Sequence, residues 1–115
     1  MSSNLTALPA GEACALETLI APTPGGIASR ILAKKGGGSV TLFAFDAGQG
    51  LTEHTSPFDA LVLVLAGTLG VTIAGARVEA TPSTIVRLPA GVPHAVEARQ
   101  PARMLLVMLR DGGAA

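Results

Sequence analysis

Apolar residues in this chain come in short runs, and glycine or proline closes each one before a helix of ordinary length could form. The run Ser39 to Phe45 reads S-V-T-L-F-A-F, and its β-branched and aromatic residues fall alternately on two faces that both read as buried. Before it, Ile27 to Ala33 reads as a strand closed by Lys34, Lys35 and the glycines at 36 to 38. After it come Ala60 to Ala66, a turn at Gly67 to Gly70, Val71 to Ile73, and a second turn at Ala74 to Ala76. Arg77 to Ala80 and Thr84 to Leu88 bracket Thr81-Pro82-Ser83, and Met104 to Leu109 reads as a last buried strand. Leu16 to Ala21 reads as a first edge strand, closed by the Pro-Thr-Pro-Gly-Gly cluster at 22 to 26. About nine or ten short strands with turn signals roughly every 8 to 12 residues predict an all-β sandwich or closed barrel. No helix-period segment competes, and no internal repeat appears. Residues 1 to 12 read as a loose arm with few fixed contacts. The expected organisation is a flexible N-terminal arm with an edge strand over residues 1–25, then a barrel over residues 26–111.

At 115 residues the chain is long enough for one core and too short for two. Apolar residues make up 49% of it and charged residues 14%, which is more apolar surface than one copy covers alone and predicts a homodimer. Lys plus Arg and Asp plus Glu number 8 each, and no basic stripe with interleaved aromatics occurs. Nucleic acid is therefore not an expected partner. The longest apolar run, Ala60 to Gly67, falls well short of the roughly 18 to 20 residues a membrane helix needs. With no secretory n-region and a single cysteine, Cys14, the expected location is cytoplasmic, with no membrane partner. Cys14 reads as a small apolar filler rather than a nucleophile.

The chemistry-bearing residues are two histidines in different settings. His54 follows a Gly48-Gln-Gly loop and precedes Pro57, which has no N–H for a strand ladder and stops the strand there. His94 leaves the rigid corner Pro89-Ala-Gly91-Val-Pro93. If one small fold brings them together, they outline a binding site. A neutral buried imidazole needs only one donor and one acceptor, and Ser56 is a natural partner for His54 if both face inward. A serine hydrolase is a poor match, because no G-x-S-x-G elbow is present.

Gly48, five residues, His54, Thr55, Ser56, three residues, Ala60, six residues and Gly67 form one spaced set. Pro89, Gly91 and His94 form a second, with Ala98 at its last position and Ser83 ahead of it. Over roughly residues 40 to 110 the chain resembles the cupin superfamily, RmlC-like single-domain β-barrels of the double-stranded β-helix or jelly-roll type. Ser83 stands where an earlier glycine of the second motif is usual. In metal-binding members, the resemblance implies, two histidines and a glutamate of the first motif and one histidine of the second hold a divalent iron, manganese, nickel or zinc ion. His54 and His94 carry over, whereas Ser56 and Ala60 replace the other two ligands. A serine hydroxyl is a poor ligand and alanine offers none, so the metal motif is degenerate. Glu53 and Glu97 sit at positions that point away from their neighbouring histidines on regular strands. Asp59, in the turn after Pro57, is the better placed substitute, and with it the set becomes two histidines and one carboxylate.

Period two brings Ala60, Val62 and Val64 from one strand, and Val96 and Ala98 from another, to the face of His54, Ser56 and His94. Phe43, Phe45, Met104, Leu106 and Met108 are candidates to close the walls. The expected ligand contacts are His54, Ser56, Ala60, Val62, His94 and Val96, around a small and largely apolar molecule. Arg87 and Arg103 flank this set in sequence only, so a strongly anionic substrate is not expected. Three readings stay open. The first is a small-molecule-binding cupin with His54 and His94 as polar contacts or an incomplete divalent-metal site. The second is a metal-dependent dioxygenase or isomerase using His54, His94 and Asp59. The third is a non-catalytic structural or partner-binding barrel.

Overall fold

The computed structural model describes residues 7–110. Among the described residues nine strands follow one another: β1 (Ile27–Lys35), β2 (Gly38–Phe45), β3 (Gly50–His54), β4 (Asp59–Ala66), β5 (Leu69–Ile73), β6 (Ala76–Ala80), β7 (Ile85–Leu88), β8 (His94–Ala98) and β9 (Ala102–Leu109). They form a five-stranded sheet in the order β1-β2-β9-β4-β7 and a four-stranded sheet in the order β3-β8-β5-β6. Every pairing between them is antiparallel. This is the two-sheet jelly roll that the strand count predicts.

Register decides which residues form the core. In the larger sheet Phe43 pairs with Met104 and Met104 with Val64, while Thr41 pairs with Leu106 and Leu106 with Val62. These residues share one face by strand alternation. In the smaller sheet Val71 pairs with Val96 and Leu69 with Ala98. The two faces close on each other: Val62, Val64, Leu69, Val71, Ala98 and Met104 are all fully buried. Each large apolar side chain buried this way contributes about 1.5–3 kcal/mol, and no other interaction in the fold approaches the sum. Both faces of β2 are covered as expected, with Leu42 and Ala44 buried on one side and Phe45 on the other.

Turn chemistry follows the sequence closely. Ala74 and Gly75, both at positive φ (51° and 83°), close the hairpin between β5 and β6, the conformation whose twist matches paired strands. Thr81 to Thr84 forms a turn closed by the Thr84 N–H on the Thr81 carbonyl (3.1 Å), with Pro82 second and Ser83 third at φ 69°. That left-handed backbone explains why the resemblance expects a glycine at Ser83.

The N-terminal segment differs from expectation. Leu16 to Ala21 is not a strand: Leu16–Thr18 is a single 3-10 turn, with the Thr18 hydroxyl and the Thr18 N–H both on the Ala15 carbonyl. Pro22 and Pro24 just beyond it offer no N–H to a ladder. Arg30 of β1 takes the Leu19 carbonyl with its guanidinium instead (2.9 Å). The arm also has more contacts than a loose tail. A bulge in β1 between Ile31 and Ala33 leaves Leu32 out of register, and its carbonyl accepts the Leu8 N–H (3.0 Å). The first six residues of the expected arm and residue 111 of the expected barrel lie outside the described residues.

Two predictions follow from these turns. Ser83→Gly removes a left-handed cost of about 1–2 kcal/mol and returns about 0.5–1 kcal/mol of unfolded-state entropy. Denaturant titration is expected to show a net gain of about 0.5–1 kcal/mol. Asp46 accepts the Gly25 N–H (2.6 Å) and the Ala47 N–H (2.8 Å), and these hold its carboxyl below the usual carboxylate range. A carboxyl lowered in the folded state stabilises above its unfolded value of about 3.9 and loses that contribution as pH falls through the folded value. Thermal melts of Asp46→Asn are therefore expected to fall less steeply below about pH 4 than those of the parent.

Candidate functional site

His54 and His94 meet because β3 carries one residue too many. Leu51 pairs with Val96 and His54 with His94, so three steps along β3 answer two along β8. An unbroken ladder from Leu51 would set Glu53 opposite His94; the bulge sets His54 there. Close approach of the two strands demands glycine at position 50, where a Cβ would run into the Val96 carbonyl oxygen. On the other side of β8, His94 pairs with Ile73. The corner before His94 is tied down separately: the Gly91 N–H donates to the Ser56 carbonyl (2.8 Å) and the Ala74 N–H to the Pro93 carbonyl (2.9 Å).

The imidazoles stand edge to face, ring centroids 4.4 Å apart, with the two Nε2 atoms separated by 3.2 Å. His94 is buried at 6% exposure, and His54 is on the solvent side. Each Nδ1 lies against a carbonyl oxygen two residues back, His54 on Thr52 (2.7 Å) and His94 on Val92 (3.2 Å). A carbonyl only accepts, so a proton on each Nδ1 is the arrangement that satisfies both of these contacts. In neutral imidazoles both Nε2 lone pairs then face one another. That arrangement is repulsive unless something positive lies between them: a shared proton, or a metal ion. Two nitrogens 3.2 Å apart are close enough to reach one ion at the usual 2.0–2.1 Å.

The other expected site residues go elsewhere. Asp59 lies in the row of Leu109, on the outer face of its sheet. Its Oδ1 accepts the Ala90 N–H (2.8 Å) and its Oδ2 pairs with Arg87 (3.3 Å). The Ala90 N–H first, and Arg87 second, hold its carboxyl below the usual range. The expectation that Asp59 completes a metal set is corrected on this point: its alternation on β4 is regular, and it braces the Pro89–Pro93 corner instead. Ser56 does not pair with His54 either, because its hydroxyl accepts the Phe58 N–H (3.1 Å) in a local turn. Among the described residues no group of three or more His, Cys, Asp or Glu side chains converges. Ala60, Val62 and Val96 do share the inner face with His94, but at 3%, 0% and 4% exposure they belong to the packed core rather than to an open wall. Of the pair, His54 is the member exposed to solvent.

The mouth holds residues that the sequence reading did not assign to it. Lys34, Lys35, Gly38, Ser39, Phe58, Met108 and Arg110 line a cleft of about 190 Å³. It opens at the end of the barrel where β3 ends and β8 begins. Ser39 pairs with Met108, Met108 with Ala60, and Ala60 with Leu88, which leads directly into the corner before His94. The Lys34-Lys35 pair ahead of three glycines was the one available signal, and it reads equally well as a solvated turn.

Comparison with known proteins agrees with this architecture. The conserved SPY1581 protein of unknown function from Streptococcus pyogenes is 29% identical, with a TM-score of 0.85 over 90% of this chain and 91% of that one. A cupin superfamily protein, DSY2733, from Desulfitobacterium hafniense DCB-2 is 27% identical, with a TM-score of 0.84 over 90% of this chain and 95% of that one. A Cupin 2 conserved barrel domain protein from Leptotrichia buccalis is 32% identical, with a TM-score of 0.77 over 81% of this chain and 45% of that one. No curated protein matches the chain by sequence. The family model of the cupin domain matches residues 41–108, more than half of the 115 residues, and the chain belongs to the cupin family.

Proposed function

We propose that this cupin binds a small molecule at the mouth of its barrel, with the His54–His94 pair as the polar anchor and an exchangeable divalent cation as its partner. The observation that carries the reading is the pair of Nε2 atoms 3.2 Å apart, with a backbone carbonyl against the Nδ1 of each ring. Such a pair favours a cation and offers it only two protein ligands, so the remaining positions fall to water or to the ligand. When bound, the ion would act as a Lewis acid toward an oxygen or nitrogen of that ligand. The residues present suit a weakly held ion better than a tight catalytic centre, since Asp59 and Ser56 are occupied elsewhere and Ala60 has no donor. The dioxygenase or isomerase reading through Asp59 loses its third ligand by the same geometry.

Calorimetric titration of untagged protein with zinc and nickel tests the reading. One equivalent per chain is expected, weakened at least about tenfold by His54→Ala and by His94→Ala. A chain that binds neither ion at millimolar concentration, or binds them equally well without the two histidines, refutes it. His54→Ala is the cleaner variant, because His54 is exposed and its loss leaves the core intact.

We propose further that the protein is a homodimer through the outer face of the five-stranded sheet. Val40, Leu61, Leu63, Leu105 and Val107 sit on that face only partly buried, beside Ile85 at 61% and Leu109 at 47% exposure. A second copy supplies a matching apolar face for these residues. Sedimentation equilibrium at micromolar concentration is expected to show a dimer that Leu63→Glu with Leu105→Glu dissociates; a monomeric parent refutes the proposal.

A further inference from the structure

We infer that the mouth of the barrel selects a carboxylate with a compact apolar body, held by Lys34, Lys35 and Arg110 against Phe58 and Met108. This rests on the reading of the mouth as a ligand site and adds the charge class of the ligand. Three cationic residues and Ser39 line one cleft, and among the described residues no carboxylate lines it with them. Among the described residues none of the three cations takes part in an ion pair, whereas Arg77 and Arg87 do. The nearest acidic position in the strand register, Asp59, is turned to Arg87 and the Ala90 N–H.

Arg110 is held in place before any ligand arrives. Its backbone N–H donates to the Gly37 carbonyl (3.0 Å), and its guanidinium lies 4.5 Å from the centroid of the Phe58 ring. Phe58 is fixed in turn by the Ser56 hydroxyl (3.1 Å), and the Ser56 carbonyl accepts the Gly91 N–H of the corner that delivers His94. The cationic rim and the histidine pair are thus joined through one short loop. Lys34 and Lys35 reach the cleft from β1, across the hairpin turn from Gly38 and Ser39. The volume, about 190 Å³, is about six waters' worth of space at ~30 Å³ each. A carboxylate on a single ring or short branched chain fits it. Phe58 and Met108 give such a ligand an apolar surface, and the cations give its charge a partner.

The test uses benzoate as probe, with benzamide as its uncharged twin and inorganic phosphate as an anion without an apolar body. All three are titrated into metal-free protein and followed by amide chemical shifts. Benzoate is expected to move the signals of Ser39, Phe58 and Met108, with an affinity that falls as salt rises. The triple variant Lys34→Gln, Lys35→Gln, Arg110→Gln is expected to bind at least about tenfold more weakly. All three positions are exposed, so the variant keeps the fold, and Arg110→Lys is expected to restore part of the lost affinity. Benzamide binding as tightly as benzoate, phosphate binding more tightly than benzoate, or a triple variant that binds like the parent overturns the inference. Because the protein is metal-free, these outcomes are independent of the zinc and nickel titrations: His54→Ala can abolish cation binding while leaving benzoate on the rim, and the reverse result separates the two ideas equally well.

Discussion

Two apolar sheet faces pressed together decide almost everything else in this molecule. Burying Val62, Val64, Leu69, Val71 and Met104 fixes the register of every strand that carries them, because a slip by one residue would turn each of those side chains to solvent. Once register is fixed, the side of the sheet on which any residue lies is no longer free to vary. Asp59 is outside because Ala60 must be inside, and no preference of a carboxylate for a metal can alter that.

Function therefore has to enter where register is broken. The bulge in β3 between Leu51 and His54 is such a break, and its effect is to exchange Glu53 for His54 opposite His94. With Glu53 in that place the pair would be a carboxylate and an imidazole, which satisfy one another by a simple hydrogen bond. With His54 it is two imidazoles whose Nε2 atoms face each other 3.2 Å apart, an arrangement that a proton or a metal ion between them would satisfy. One inserted residue thus converts a closed interaction into an open one. The corner at Pro89–Pro93 holds the second partner still, with Asp59 bracing it through the Ala90 N–H; the carboxylate supports the loop that leads into His94.

How much of this could be read in the amino-acid sequence depended on whether periodicity carried the information. The strands β2, β4 and β9 were legible because alternation and β-branching mark a buried strand directly, and the inward set Ala60, Val62, Val64, Val96 and Ala98 followed from counting by two. The convergence of His54 and His94 came from the motif spacing and not from alternation, since a bulge has no periodic signature. Asp59 was misjudged for the converse reason: a bulge was expected in β4, where alternation runs regularly from Asp59 to Val64, and occurred instead in β3. The segment from Leu16 to Ala21 had strand-like composition, but the Thr18 hydroxyl and two prolines made a local turn the better partner for its backbone. The basic rim escaped notice because Lys34 and Arg110 lie 76 positions apart, and only the β1-β2-β9 pairing joins them.

The rim and the degenerate metal motif also make sense together. In the pattern this chain resembles, the position of Ala60 carries a glutamate, whose charge would face the barrel interior beside the histidines. Alanine there removes a negative charge from the inner wall, and Asp59, one residue earlier, has its charge committed to Arg87 on the outside. Among the described residues, what remains at the mouth is three exposed cations and the pair of imidazoles. Coulombic attraction there favours an anionic guest over a neutral one. On the proposed reading, the negative charge that a glutamate supplies in the metal-binding pattern is here brought by the guest.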